Sequence, residues 1–122
     1  MWDVAGGSSS NGANVQMYNS NMTKAQRWLV HEDENGFLTF ENTGSGLVLD
    51  VSGGIAESGR NVQQYVANDT RAQKWIAVKD ADGGLTIHSV LNFDYVLDIA
   101  GGSSANGANV QLYKANQTAA QL

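Results

Sequence analysis

The chain of 122 residues has no cysteine, so its stability must come from one buried core without disulfides. Basic residues are scarce: 7 Lys and Arg stand against 12 Asp and Glu, a net charge of −5, and no basic patch is present. That excludes a polyanion-binding surface and, with it, nucleic acid as an expected partner. No apolar run approaches the length that spans a bilayer, so no membrane partner is expected either. Met1 is followed directly by Trp2 and Asp3, without the charged and apolar regions of a secretory leader. The chain therefore reads as cytosolic or as a segment of a larger secreted protein. No long segment keeps a period of 3.6, which leaves little room for helix. His31 and His88 have no partner at metal spacing, and the Gly-rich runs lack the Lys and following helix of a phosphate loop. No cofactor is expected, and no arrangement of nucleophile and base or of paired carboxylates indicates an enzyme.

What the chain has is neutral polar surface (Asn, Gln, Ser, Thr) and a sequence written three times. The run Leu49-Asp50-Val51 recurs as Leu97-Asp98-Ile99 and, changed, as Trp2-Asp3-Val4, so the aspartates lie 47 and 48 residues apart. Thirteen residues beyond them stand Gln16, Gln63 and Gln111, and two further on Tyr18, Tyr65 and Tyr113. Asn21, Asn68 and Asn116 follow five residues after each Gln. Then come Gln26-x-Trp28, Gln73-x-Trp75 and, at the end, Gln121-Leu122. The segments 37–42 and 85–90 alternate apolar and polar residues as strands do, while 33–36 and 80–84 are turn sequences. A full repeat thus predicts four short strands.

These features resemble the ricin B-type lectins, in which a Q-x-W motif closes each repeat. The resemblance runs through the whole chain. It implies an all-β fold, a β-trefoil with three repeats of about 47 residues in a single domain over 1–122. The repeats fall at about 1–34 (partial), 35–82 and 83–122 (partial). In the family the first and fourth strands of each repeat form a six-stranded barrel, and the second and third form hairpins that cap it. The first strand of one repeat and the fourth of another are missing here, and these two are adjacent at the seam. The expectation is a segment of a larger protein, or a homo-oligomer in which a second copy closes the gap by strand exchange. Trp2 stands where the other repeats have Leu49 and Leu97: it either covers part of the seam or is tolerated variation.

Binding a neutral sugar needs an acceptor for vicinal hydroxyls, a flat apolar face for the C–H side of the ring, and an amide that both donates and accepts. The resemblance assigns these roles to Asp3, Gln16 and Tyr18, to Asp50, Gln63 and Tyr65, and to Asp98, Gln111 and Tyr113. The opposing readings are that each Asp merely caps its turn and each Tyr merely packs. Gln26, Gln73 and Gln121 are expected to support the Asp from behind, and Trp28 and Trp75 to lie in the core. The family commonly carries Asn just before the Q-x-W Gln, where this sequence has Ala25, Ala72 and Ala120. Loss of one such hydrogen bond costs about 0.5–1.5 kcal/mol; Asn14, Asn61 and Asn109 are expected to compensate from the loop side. The Gly/Ser/Asn loop of residues 6–13 is expected between Asp3 and Gln16 of one pocket, and Glu57 and Arg60 change the rim in the middle repeat. The repeated Asn-x-Thr triplets read as a shared turn rather than as glycosylation sites.

The leading functional expectation is a carbohydrate-binding module for galactose- or xylose-type sugars or a cell-wall glycan, secreted or displayed on a bacterial cell surface. Weak sites, each near −4 kcal/mol, would gain from multivalency. The rival is a structural or oligomer-forming trefoil that has lost sugar binding.

Overall fold

The computed structural model describes residues 1–79, 83–116 and 121. Among these residues ten strands follow one another: β1 (Trp2–Val4), β2 (Val15–Met17), β3 (Trp28–Glu32), β4 (Leu38–Asn42), β5 (Val48–Val51), β6 (Arg60–Tyr65), β7 (Trp75–Lys79), β8 (Leu85–Ser89), β9 (Asn92–Ile99) and β10 (Val110–Lys114). Only short 3-10 turns interrupt them, and no α-helix occurs among the described residues. The middle repeat supplies the four strands its sequence predicts, β4 to β7.

Strands β3, β4, β7 and β8 pair in that order, antiparallel throughout, with Leu38 opposite Trp75 joining β4 to β7. The hairpins β1–β2, β5–β6 and β9–β10 form the cap. Valines from the three repeats meet in the core: Val15, Val62 and Val110 are all at most 1% exposed. Leu49, Trp75 and Leu112 close around them, fully buried. Trp75 is a core residue as expected, and its indole N–H donates to the Leu49 carbonyl at 3.3 Å. Trp28 makes the equivalent bond to the Trp2 carbonyl at 3.2 Å but is only partly buried. The reason is its position on β3, which pairs with β4 alone among the described strands. Trp2 meets Trp28 and Phe40 edge-on, with ring centroids 6.2 and 5.3 Å apart. It thereby fills part of the opening beside β3. A cavity of about 250 Å³ remains on its other side, against Leu85, Ile87 and Leu97.

The three hairpins interlock cyclically. Gly12 donates its N–H to the Gln64 carbonyl, Gly59 to Leu112 and Gly107 to Met17, each at 2.7–2.8 Å. Every hairpin loop thus docks on the next repeat, first on second, second on third, third on first. This corrects the sequence reading of the 6–13 loop. Only its Gly6–Gly7 start borders the pocket of its own repeat. The remainder leaves for the neighbour, where the fully buried Gln64 holds it by donating to the Ser8 and Ser10 carbonyls.

A second correction concerns Asn14, Asn61 and Asn109. Their amides do not reach toward the pockets but close on one another. Asn14 donates to Asn109 at 2.6 Å, Asn109 to Asn61 at 2.8 Å and Asn61 to Asn14 at 2.8 Å. A primary amide donates and accepts with equal ease, so three of them form a self-satisfied ring. Their support of the sites is through the backbone: Asn14 bridges Gln63, Asn61 pairs with Gln111 and Asn109 bridges Gln16.

Candidate functional site

Each triad is assembled by the register of one hairpin. Asp3 lies opposite Gln16, Asp50 opposite Gln63 and Asp98 opposite Gln111, so a 13-residue step in sequence becomes direct cross-strand adjacency. The Gln amides donate to the carboxylates at 2.9, 3.2 and 3.2 Å. The aspartates form a nearly buried floor, 6%, 5% and 7% exposed, while Tyr18, Tyr65 and Tyr113 stand 37–40% exposed at the strand ends. Burial is the largest influence on Asp50 and raises its carboxyl above the ordinary 3.8, with the Gln73 and Gln63 amides pulling the other way.

The Q-x-W glutamine organises the rest. Gln73 donates to Asp50 at 2.8 Å and to the Val66 carbonyl at 2.9 Å, and accepts from the Asn68 N–H at 2.9 Å. Gln121 repeats all three bonds with Asp98, Lys114 and Asn116. Gln26 makes the two backbone bonds, to Asn19 and Asn21, without the bond to its aspartate. The expected support of the aspartate from behind is therefore present in the second and third repeats and absent in the first, where Gln26 holds only backbone. Residues Asn19, Val66 and Lys114, each just after the triad Tyr, are gripped on both sides. Their carbonyls accept from the Gln, and their N–H groups donate to Asn106, Asn11 and Ser58 of the preceding repeat's loop. That double grip fixes where the tyrosine stands.

Two pockets result. Asp3, Gln16 and Tyr18 border one of about 620 Å³ with Gly6, Gly7, Asn21, Thr23, Lys24, Ala25 and Gly44. Asp50, Gln63 and Tyr65 border another of about 420 Å³ with Gly53, Gly54, Asn68, Thr70, Arg71, Ala72 and Leu91. The paired glycines are needed for backbone rather than space: Gly6 and Gly7 have φ of +64° and +62°, and a Cβ on either would meet nothing within 4 Å. In the third repeat Asp98, Gln111 and Gln121 hold the same bonds, whereas Thr118 and Ala120 lie outside the described residues.

Sequence reasoning missed the Asn-x-Thr wall as part of the site. Asn21 Oδ1 accepts from the Thr23 N–H at 3.1 Å and its hydroxyl at 2.7 Å, and Asn68 does the same for Thr70. The triplet is the turn expected from the sequence, folded so tightly that Met22 and Asp69 take left-handed φ of 60° and 59°. Its recurrence at one repeat position was the available signal.

The family model described as ricin-type β-trefoil lectin domain-like matches residues 1–65 and 24–113. The chain belongs to that family. This ricin-type domain is similar to the designed threefold-symmetric protein ThreeFoil, at 30% identity and a TM-score of 0.94 over 98% of this chain and 85% of that one. It is similar to the Rhizoctonia solani agglutinin, at 26% identity and a TM-score of 0.87 over 98% and 81% of the two chains. A third likeness is to 1,3Gal43A, an exo-β-1,3-galactanase from Clostridium thermocellum, at 27% identity and a TM-score of 0.93; it covers 98% of the ricin-type domain and 26% of the galactanase. No curated protein matches the sequence. Family and fold are those of lectins and suggest a non-catalytic role, although similar domains also occur within enzymes.

Proposed function

We propose that the domain is a carbohydrate-binding module, giving weak multivalent attachment to a glycan as part of a larger secreted or cell-surface bacterial protein. The observation that carries this reading is the in-register Asp–Gln pair with an exposed Tyr beside it, built three times with one geometry. The carboxylate accepts from vicinal hydroxyls, the Gln amide orients it, and the ring offers an apolar face to the sugar's C–H side. A likeness covering a quarter of a galactanase supports a galactose-type ligand and an attached role.

The test is an NMR titration of the ¹⁵N-labelled domain with galactose and xylose, repeated with Tyr65→Ser and Tyr113→Ser. Both tyrosines are more than a third exposed, and circular dichroism checks that each variant is folded. Shifts at Asp50, Gln63, Asp98 and Gln111 that weaken in the matching variant are expected. Shifts at none of the three triads with either sugar or with an acidic galactose derivative, or shifts at the second and third triads that persist in the matching variant, refute the reading in favour of a structural trefoil. That β3 pairs with β4 alone among the described strands favours a further element of that rival, association of copies through strands; light scattering giving a folded monomer rules it out.

A further inference from the structure

The first two pockets share a feature that a neutral sugar does not require. Lys24 borders the first pocket and Arg71 the second, at one repeat position, each eight residues beyond its triad Gln. The same step in the third repeat reaches Ala119. Both cations are exposed. Among the described residues neither takes part in an ion pair, although Arg60 is paired with Glu57, and Lys74 with Asp33 and Asp69. In a chain with more acids than bases, two unpaired cations stand at the mouths of two repeated pockets. The base of Lys24 lies close to the wall: a Cβ on Gly44 would stand 3.2 Å from that of Lys24, a tight approach.

We propose that the pockets of the first two repeats select sugars bearing one anionic substituent, a carboxylate or a sulfate, with Lys24 and Arg71 as its counter-charges. This rests on the sugar-binding reading and names the class of sugar. The charge layout sets the orientation. Asp3 and Asp50 form the floor, each already holding a Gln amide, and they accept hydroxyl protons while repelling an anion. The cations stand at the open side. A sugar with a diol at one end and an acid at the other fits with the diol inward and the acid outward. Arg71 can take a carboxylate or sulfate by two parallel bonds, whereas Lys24 acts as a point charge. The two pockets therefore differ in geometry but not in sign.

The experiment compares galactose, galacturonate and galactose 6-sulfate by NMR titration of the whole domain. At about 20 mM NaCl the anionic sugars are expected to bind roughly two- to fivefold more tightly than galactose, an advantage lost near 300 mM salt, since exposed pairs are modest and screened. In the double variant Lys24→Gln, Arg71→Gln the ratio of galacturonate to galactose affinity falls to about one. Circular dichroism checks that the variant is folded. Equal or weaker binding of both anionic sugars, or an advantage that survives in the double variant, overturns the proposal. A response to only one of them identifies carboxylate or sulfate as the group recognised. Failure of all three sugars to bind refutes the sugar-binding reading itself, and this proposal with it.

Discussion

Gln73 and Gln26 occupy the same repeat position but carry different loads, and replacing each by Met measures the difference. Met has nearly the same length and shape but no amide. Gln73→Met removes a bond to the Asp50 carboxylate, a bond to the Val66 carbonyl and a bond from the Asn68 N–H, at a site 2% exposed. Gln26→Met removes the two backbone bonds at a site 4% exposed. Each neutral bond contributes about 0.5–1.5 kcal/mol net, and one to a charged group about 1.5–3 kcal/mol. Gln26→Met is thus expected to cost about 2 kcal/mol, and Gln73→Met about 4 kcal/mol. The excess of about 2 kcal/mol is the charge-assisted bond, together with the cost of leaving Asp50 with fewer donors in a buried place. Urea unfolding of both variants gives the two values from the shift of midpoint at constant slope. Equal losses within about 0.5 kcal/mol, or a larger loss for Gln26→Met, would refute the view that the bond to Asp50 accounts for the larger load of Gln73.

Two further outcomes follow from the same geometry. Asn61→Ala opens the amide ring, leaving Asn14 without its donor and Asn109 without its acceptor; a loss of about 1–3 kcal/mol in urea unfolding is expected, and a change below about 0.5 kcal/mol would show that the ring contributes nothing. Because burial raises the Asp50 carboxyl above its ordinary value, the native state holds that proton more tightly than the unfolded chain. The contribution of Asp50 to stability is therefore fullest below the unfolded value of 3.8 and declines as pH rises through the folded one. Relative to Asp50→Asn, the unmodified domain should lose stability from about pH 3 to pH 7, and a gain over that range contradicts the assignment.

The strands and triads were legible because both are expressed as short, fixed steps along the chain. Alternation over residues 37–42 announces β4, and the 13-residue step from Asp to Gln is the length of one hairpin closed on itself. The asparagine ring was not legible. Its members are 47 to 95 residues apart, and an amide before Val-Gln suits a sugar hydroxyl as well as it suits another amide. Sequence spacing cannot say which partner the fold brings near. The loop of residues 6–13 misled for a related reason: its composition announces a loop, but its partner is Gln64 of another repeat. The pocket wall at Asn21–Thr23 was read correctly as a turn, and what remained hidden was the surface that the turn faces.

The cyclic docking of each hairpin on the next has a kinetic consequence. No repeat finishes its own pocket, because the residue after each tyrosine is held by a loop from elsewhere. The last of these contacts joins the third repeat to the first, across 87 residues from Asn106 to Asn19. Closure of that loop must be paid in chain entropy before the wheel can lock, so folding belongs to the slow, high-contact-order regime of all-β domains. The same closure means that which repeat comes first along the chain is arbitrary, and a circular permutant cut between repeats would keep every one of these contacts.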